Sequence, residues 1–416
     1  MTQNDAKDII RAYNGGGVPR KELIANLVVG REDLLNAIKE VLDDTAQGGS
    51  CMRFLIGDSG FGKTCIMYLT MMSSWAKGFV TMNADFSSDR RLYDSGAGKA
   101  LALYKALMDS VAIKTRPNGG ALPLILEIGI NNIISDLAFE KGLEKAQLLG
   151  GSNMELILDE IDKRLQNVDG IDSADFNSVV KSYFQGFIHH DTALKTDAVN
   201  WLSGCCKSLM EARQKLGVRK VIDDSNWYGM IKNFCAYAVH VAHFKGLSVM
   251  LDEAARICDI TGKDIRDKNI EKILFIYNDC FQHRCNHMYI MMAGTVNFRE
   301  NKSRGLCSNE HLRRRVEENE FLKDGLIDYS GSVFPLGALR KDSSKILFER
   351  LKTAFDACYE TDLPITKDDI KTFVDSIYDT SSNPAFLSPA KVATKFLDLM
   401  ELMRQNNLSF AEALSL

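Results

Sequence analysis

The stretch "GDSGFGKT" at residues 57–64 constrains the fold more than any other segment of the chain. It matches the pattern G-x-x-x-x-G-K-[ST], whose glycines let the backbone turn its N–H groups toward phosphate oxygens. The apolar run "CMRFLI" precedes the loop, and "TCIMYLTMMSSWA" continues it with the length and periodicity of a helix. A plain glycine turn is the alternative, but it does not account for the flanking strand and helix. The unit therefore predicts an α/β fold that binds a nucleotide.

The polar groups of this loop are predicted to bind ATP and Mg²⁺. We expect the Lys63 ammonium to contact the β- and γ-phosphate oxygens, which also gives it a part in catalysis, and the Thr64 hydroxyl to bind Mg²⁺. The helix that follows adds the positive end of its dipole. The predicted ATP-binding residues of this segment are Gly57, Asp58, Ser59, Gly60, Phe61, Gly62, Lys63, Thr64 and Cys65.

A second segment, "LSVMLDE" at residues 247–253, carries the acids that such a loop requires. It is a short apolar run that ends in two carboxylates, as expected for a buried strand neighbouring the loop. Asp252 is predicted to hold Mg²⁺, and Glu253 to polarise the attacking water. An ordinary strand with a charged end is the alternative. Because a protein that only senses a nucleotide does not need Glu253, the pair favours hydrolysis.

A third apolar run, "HMYIMMAGTVNF" at residues 287–298, ends in small polar residues. A strand of this kind beside the loop strand would bring a polar side chain near the γ-phosphate. Thr295 is the first candidate and Asn297 the second, while a strand followed by an ordinary turn is the alternative.

The segment "EHLRRRV" predicts a helix with three consecutive arginines, Arg313, Arg314 and Arg315. A planar guanidinium suits a γ-phosphate reached from a neighbouring subunit, so one of the three is predicted to act in trans in a homo-oligomer. Contacts with nucleic-acid phosphates and a solvated helix face are the alternatives. The sequence does not distinguish the three arginines.

Composition limits the class of protein. With 416 residues, of which 45% are hydrophobic and 25% charged, the chain is expected to be globular, with two or three domains. Its net charge of −4 provides no overall attraction to nucleic acid. The polar start "MTQNDAKDII" is unlike a signal peptide, and no apolar run approaches the length of a membrane span. A cytoplasmic protein without membrane contact is predicted.

The order of the predicted elements divides the chain into four regions. Further strands are expected in residues 78–87 and 329–336, and the long stretch between the second and third strands is helical by periodicity. The predicted regions are 1–98, the first part of the ATPase core; 99–246, a helical insertion; 247–336, the remainder of the core; and 337–416, a helical lid.

Together these elements resemble the AAA+/STAND branch of P-loop ATPases. The resemblance implies an α/β fold with a parallel five-stranded sheet, a large helical insertion and a C-terminal helical lid. "VVGRE" at residues 28–32 is similar to the opening motif of that branch, which lies against adenine. Val29, Gly30 and Arg31 are accordingly expected to bind the nucleotide.

A closer resemblance extends from about residue 10 to 400. "VPRKELIANLVVGREDLL", "KTRPNGGAL" and "LGVRKVIDDSNWYGMIK" are similar to the BREX-system ATP-binding domain family, which also supplies the ATPase of the Shango phage-defence operon. The resemblance implies DNA, a partner helicase and a TerB-like protein as partners. One departure is that Ala390 and Lys391 stand where this family carries a sensor-like arginine.

Two functional hypotheses follow. In the first, ATP turnover is coupled to oligomer assembly and to DNA or a partner helicase in anti-phage defence. In the second, ATP binding assembles a complex as a switch or scaffold, and hydrolysis is slow or incidental.

Overall fold

A five-stranded, all-parallel sheet forms the centre of the computed structural model, which describes residues 1–149, 153–166, 174–206, 208–317, 319–322, 326–381 and 387–416. The strands are β1 (Ser50–Ile56), β2 (Val80–Asp85), β3 (Leu247–Asp252), β4 (Met288–Gly294) and β5 (Val333–Pro335). Each coincides with or overlaps a segment for which the sequence predicts a strand, and β1 begins one residue earlier than predicted. Helices cover the sheet, as the predicted α/β class requires.

The strand order is β2-β3-β4-β1-β5. Strands β3 and β4 are buried along their whole length, which explains their nearly continuous apolar sequences. Because all strands are parallel, their carboxyl ends meet at one edge, where open α/β sheets bind ligands. The sequence predicts that β3, which carries the acids, lies directly beside β1, which precedes the loop. Strand β4 instead lies between β1 and β3.

Helices occupy most of the remaining chain, and their bounds follow in chain order. They are α1 (Gln3–Asn14), α2 (Lys21–Ile24), α3 (Glu32–Ala46), α4 (Lys63–Ala76), α5 (Lys99–Asp109), α6 (Leu122–Lys141), α7 (Lys145–Leu148), α8 (Met154–Gln166), α9 (Ala174–Ile188), α10 (Thr192–Leu202), α11 (Leu209–Leu216), α12 (Trp227–His240), α13 (Lys263–Phe281), α14 (Val296–Glu300), α15 (Glu310–Val316), α16 (Lys341–Tyr359), α17 (Lys367–Thr380), α18 (Pro389–Asn406) and α19 (Phe410–Ser415). In the described residues, short 3₁₀ helices cover Ala254–Ile257 and Leu306–Ser308.

Helices α5 to α12 lie between β2 and β3 in the chain and share one hydrophobic cluster with the sheet. Buried tyrosines tie them together: the Tyr237 hydroxyl donates to the Leu126 carbonyl at 2.7 Å, and the Tyr104 hydroxyl donates to the Leu202 carbonyl at 2.6 Å. The helical character predicted for this stretch is therefore present in its described residues. The region boundaries drawn from the sequence stay predictions.

The C-terminal helices α16 to α18 pack around a second cluster, in which the rings of Phe348, Phe373 and Phe396 contact one another. Their starts follow from the sequence. Thr366 forms a capping box with Asp369 at the start of α17, and Ser388 caps α18 ahead of a proline. Helix α1 joins this cluster, so the N-terminal helix packs with the C-terminal helices.

Helix α6 is the one helix in the described part of the chain that is long and apolar enough, by length and composition, to cross a membrane. The sequence analysis expected no such segment. Half of the most apolar window of α6 (50%) is buried inside the protein, where it contributes to the core. Core helices of soluble proteins pass the same test, so α6 is weak evidence for membrane contact.

Replacement of Gly129 tests the packing of α6 on α12. A Cβ atom at Gly129 would overlap with the hydroxyl of the fully buried Tyr237. We expect Gly129→Ala to lower the free energy of unfolding by about 1–3 kcal/mol, because an overpacked core is strained. Gly229→Ala in α12 is the matched control, because its Cβ would meet no atom within 4 Å; its stability should be equal to the parent's or higher by up to about 1 kcal/mol. Urea unfolding followed by circular dichroism measures both, and equal stability of the two variants would contradict this packing.

Candidate nucleotide-binding site

The glycine-rich loop joins β1 to α4 at the carboxyl edge of the sheet. Gly60 and Gly62 have φ values of 83° and 89°, in the left-handed region that glycine adopts without a steric cost. Gly62 is the residue before the first turn of α4. Local sequence therefore explains the loop: the two glycines permit the curl, and the first turn of α4 follows it directly.

Lys63 binds the backbone of its own loop. Its ammonium donates to the carbonyls of Gly57 at 2.6 Å and Asp58 at 2.9 Å. Burial lowers the pKa of Lys63, and the nearby carboxylates of Asp252, Glu253 and Asp58 act in the opposite direction. The ammonium is thus held within the curl of the loop and surrounded by negative charge.

Thr64 contacts the acid at the end of β3. Its hydroxyl donates to the carboxylate Oδ2 of Asp252 at 2.9 Å, across 188 positions of sequence. Asp252 is buried, with 8% of its surface exposed. The structure therefore brings together the two residues predicted to hold Mg²⁺. Hydroxyl and carboxylate oxygens are the ligands that this hard cation takes in proteins, so the pair fits the ion.

Glu253 occupies a strained backbone position directly after that acid. Its φ of 57° lies in the left-handed region, which costs a non-glycine residue about 1–2 kcal/mol. The Glu253 N–H donates to the Asp252 carboxylate at 2.8 Å, and its own exposed carboxylate lies 3.8 Å from the Arg256 guanidinium. Backbone outliers of this kind cluster at functional sites. The predicted base thus follows Asp252, the predicted Mg²⁺ ligand, in the chain and is paired with Arg256 in this conformation.

A third carboxylate, Asp85, was missed by the sequence analysis. It ends β2 and is the register partner of Asp252 in β3. Burial and then the Asp252 charge raise the pKa of Asp85, while Arg90 lowers it. The signal was present in the sequence, because "TMNAD" also ends a predicted strand with an acid.

The end of β4 also reaches the loop. The Val296 N–H donates to the Asp58 carboxylate at 3.2 Å. Thr295, the predicted γ-phosphate neighbour, caps α14 and accepts a hydrogen bond from the Phe298 N–H at 3.1 Å. The amide oxygen of Asn297 accepts from Asn301. Both candidates therefore follow β4, the strand that pairs with β1. The Thr295 hydroxyl accepts a hydrogen bond within the protein.

The predicted adenine-side residues contact the C-terminal helices. A Cβ atom at Gly30 (φ 64°) would overlap with Ser343 of α16. The buried Arg31 donates to the Gly337 carbonyl at 2.5 Å, and burial lowers its pKa. Val29 is buried in the C-terminal cluster. These residues connect the start of the core to the lid.

The lid also touches the loop itself. The Ala390 N–H, in the first turn of α18, donates to the Gly60 carbonyl at 3.2 Å, and a Cβ at Gly60 would lie 2.7 Å from the Ser388 hydroxyl. The residue at the sensor-like position therefore contacts the phosphate-binding loop through its backbone. Among the other loop residues, Ser59 is exposed, Phe61 is buried, and burial raises the pKa of Cys65 to about 11.

The three arginines of α15 differ in their surroundings. Arg315 donates to the His311 carbonyl and to the Asn278 side chain at 3.0 Å, and it lies over the Tyr277 ring. Arg313 and Arg314 are exposed, and among the described residues they pair with Glu317 and Glu310. Arg315 thus ties α15 to α13, and the other two guanidinium groups face solvent.

Comparison with known families identifies the chain. A family model described as BREX system ATP-binding protein BrxC/D matches residues 1–415. The chain belongs to the BrxC/D family. The match confirms the resemblance found in the sequence and covers nearly the whole chain. Comparison of this BrxC/D-family protein with curated proteins gives no match.

The raised pKa of Asp85 predicts a pH-dependent effect on stability in metal-free buffer. A carboxyl whose folded-state pKa is raised destabilises the fold at pH values above that pKa, and the penalty disappears below the unfolded-state value. We therefore expect Asp85→Asn to be more stable than the parent chain at about pH 8. The gain should shrink as pH falls toward about 4. Urea unfolding across this range measures it, with Asp89→Asn beyond the end of β2 as the control. Asp85 and Asp89 are both exposed, and a gain independent of pH would contradict the assignment.

Proposed function

We propose that this protein binds ATP with Mg²⁺ and hydrolyses it as an AAA+/STAND-type ATPase of a bacterial phage-defence system. The observation that carries the proposal is the hydrogen bond from Thr64 to Asp252, because it joins the phosphate-binding loop to the acid strand. The order of the five parallel strands and the lid contact at Gly60 are compatible with a P-loop fold. The family is named for ATP binding in the BREX system.

Each residue of the site has a proposed role that follows from its chemistry. Lys63 would leave the carbonyls of Gly57 and Asp58 and bind phosphate oxygens, and the N–H groups of the loop would bind the remaining oxygens. Thr64 and Asp252 would hold Mg²⁺, which when bound neutralises phosphate charge. Glu253 would accept the proton of the attacking water. Each assignment uses a group at the carboxyl edge of the sheet.

Self-association is part of the proposal. Arg313 and Arg314 are solvent-exposed, and surface ion pairs within one helix are weak, so either could leave its glutamate for a phosphate of a neighbouring subunit. DNA, a partner helicase and a TerB-like protein stay predictions. The basic residues between positions 299 and 315 offer fewer cations to DNA than the sequence suggests, because Arg304 and Arg315 donate to backbone and side-chain oxygens of their own chain.

One observation favours the second hypothesis, an ATP-dependent assembly switch with slow hydrolysis. Glu253 is paired with Arg256, and its backbone is strained. A base turned toward Arg256 must turn away from it before it can polarise water, although an exposed ion pair of this kind is weak. The two hypotheses share the nucleotide site and differ in whether turnover is needed for protection against phage.

Substitution of Glu253 separates binding from turnover. Glu253→Gln should retain ATP affinity within about threefold and lose at least about 100-fold in kcat, because the amide cannot accept the proton. Lys63→Ala should lose ATP binding itself. Titration calorimetry and phosphate release measure the two effects, with Glu40→Gln, on the exposed face of α3, as a surface control that should match the parent. Retained turnover in Glu253→Gln would contradict the assignment of the base, and protection of cells by this variant would favour the switch.

Substitution of the exposed arginines of α15 tests whether one of them acts on the site of a neighbouring subunit. Arg313→Ala or Arg314→Ala should lower kcat without changing ATP affinity, and mixing the affected variant with Glu253→Gln should restore part of the activity. Activity returns because mixed assemblies contain intact sites, each with Glu253 from one variant and the arginine from the other. Arg315→Ala should instead lower the melting temperature, because it removes the contact with α13. Absence of any restoration on mixing, for both exposed positions, would contradict the shared site.

A further inference from the structure

The N-terminal segment between α1 and α3 passes along the helix that begins at the phosphate-binding loop. Near its start, burial and the neighbouring Cys65 thiol raise the pKa of the Tyr13 hydroxyl. Farther along, helix α2 packs on α4, and the Lys21 ammonium lies 5.3 Å from the centre of the Tyr68 ring. The segment thus follows α4 through its first turns.

The position of Tyr68 places Lys21 near the acids of the site. It lies four positions after Thr64 in α4, so the two side chains project from the same face of the helix. Burial, then the charges of Asp85 and Asp252, raise the pKa of the Tyr68 hydroxyl. An ammonium on this ring is therefore close to the cluster of carboxylates at the sheet edge.

Lys21 and the adjacent Arg20 contact different kinds of groups. Arg20 pairs with Asp5 and Asp8 of α1, which anchors the segment. For the half-buried Lys21, the aromatic face of Tyr68 is the recorded contact, and no carboxylate of the described residues lies within ion-pair distance. A cation over a ring gains about 0.5–2 kcal/mol, less than a well-placed anion provides. Lys21 is thus held loosely beside a site for a polyanion.

We propose that Lys21 is a second phosphate-binding lysine of this site, which leaves the Tyr68 ring to bind the γ-phosphate oxygens of ATP. The inference rests on the proposed function and adds a residue to it. When Lys21 moves, the segment that carries it closes on the triphosphate.

Charge complementarity supports the proposal. The charges of Asp58, Asp252 and Glu253 act on the Lys63 ammonium, and Asp85 lies beside Asp252 in the sheet. At the sensor-like position Ala390 carries no charge and the adjacent Lys391 is exposed, while Arg315 is engaged with α13. A triphosphate brings more negative charge than a diphosphate. A further lysine at the γ-phosphate therefore gives the site a means to distinguish ATP from ADP.

The test measures ATP and ADP affinities by titration calorimetry in the full-length Glu253→Gln chain, which avoids turnover. Adding Lys21→Gln should weaken ATP about ten- to 100-fold and ADP by less than about threefold, because only ATP has the γ-phosphate that the ammonium binds. Lys21→Arg should restore most of the ATP affinity. Lys39→Gln, on the exposed face of α3, is the matched control and should change neither. Equal losses for the two nucleotides, or no loss, would overturn the proposal.

A second measurement needs no substitution. Acetylation of lysines by acetic anhydride, read by mass spectrometry, should show Lys21 protected at least about threefold by ATP and unprotected by ADP. Lys63 should be protected by both. If Lys63 is protected and Lys21 is not, this inference is wrong and the proposed function stands. If neither lysine is protected and ATP does not bind, the proposed function itself is wrong.

Discussion

The hydrogen bond between Thr64 and Asp252 is the contact on which the account of this site depends. It joins the first turn of α4 to the end of β3, although β4 lies between β1 and β3 in the sheet. Parallel pairing with a fixed register makes this possible, because it brings the carboxyl ends of β1, β3 and β4 to one edge. The helices between β2 and β3 share one hydrophobic cluster with the sheet.

In this conformation the polar groups of the site form hydrogen bonds and ion pairs with one another. Lys63 binds loop carbonyls, Thr64 binds Asp252, and Glu253 pairs with Arg256. A nucleotide with its cation must exchange these internal contacts for its own. The lid takes part as well, because α18 holds the loop at Gly60 and α16 holds the segment around Gly30. Nucleotide binding and the position of the lid are therefore expected to depend on each other.

Local patterns predicted much of this arrangement. The loop, the five strands and the caps of α17 and α18 each follow from a short stretch of sequence, in which glycine spacing, apolar runs or capping residues decide the structure. Long-range pairings could not be predicted in the same way. The insertion of β4 between β1 and β3, the register that sets Asp85 beside Asp252, and the internal contacts of Arg315 depend on tertiary packing. The three arginines look alike in the sequence, and only their neighbours distinguish them.

A double-mutant cycle on the affinity for ATP in the presence of Mg²⁺ tests the central claim most directly. Two residues that hold one cation should show non-additive effects, because losing either ligand already removes most of the benefit of the ion. Thr64→Val, Asp252→Asn and the double variant, each measured by calorimetry with Mg²⁺ and with a chelator, complete the cycle. The account predicts that the double variant binds ATP about as weakly as the weaker single variant, and that the three variants agree within about threefold in chelator. Fully additive losses that persist without Mg²⁺ would contradict it.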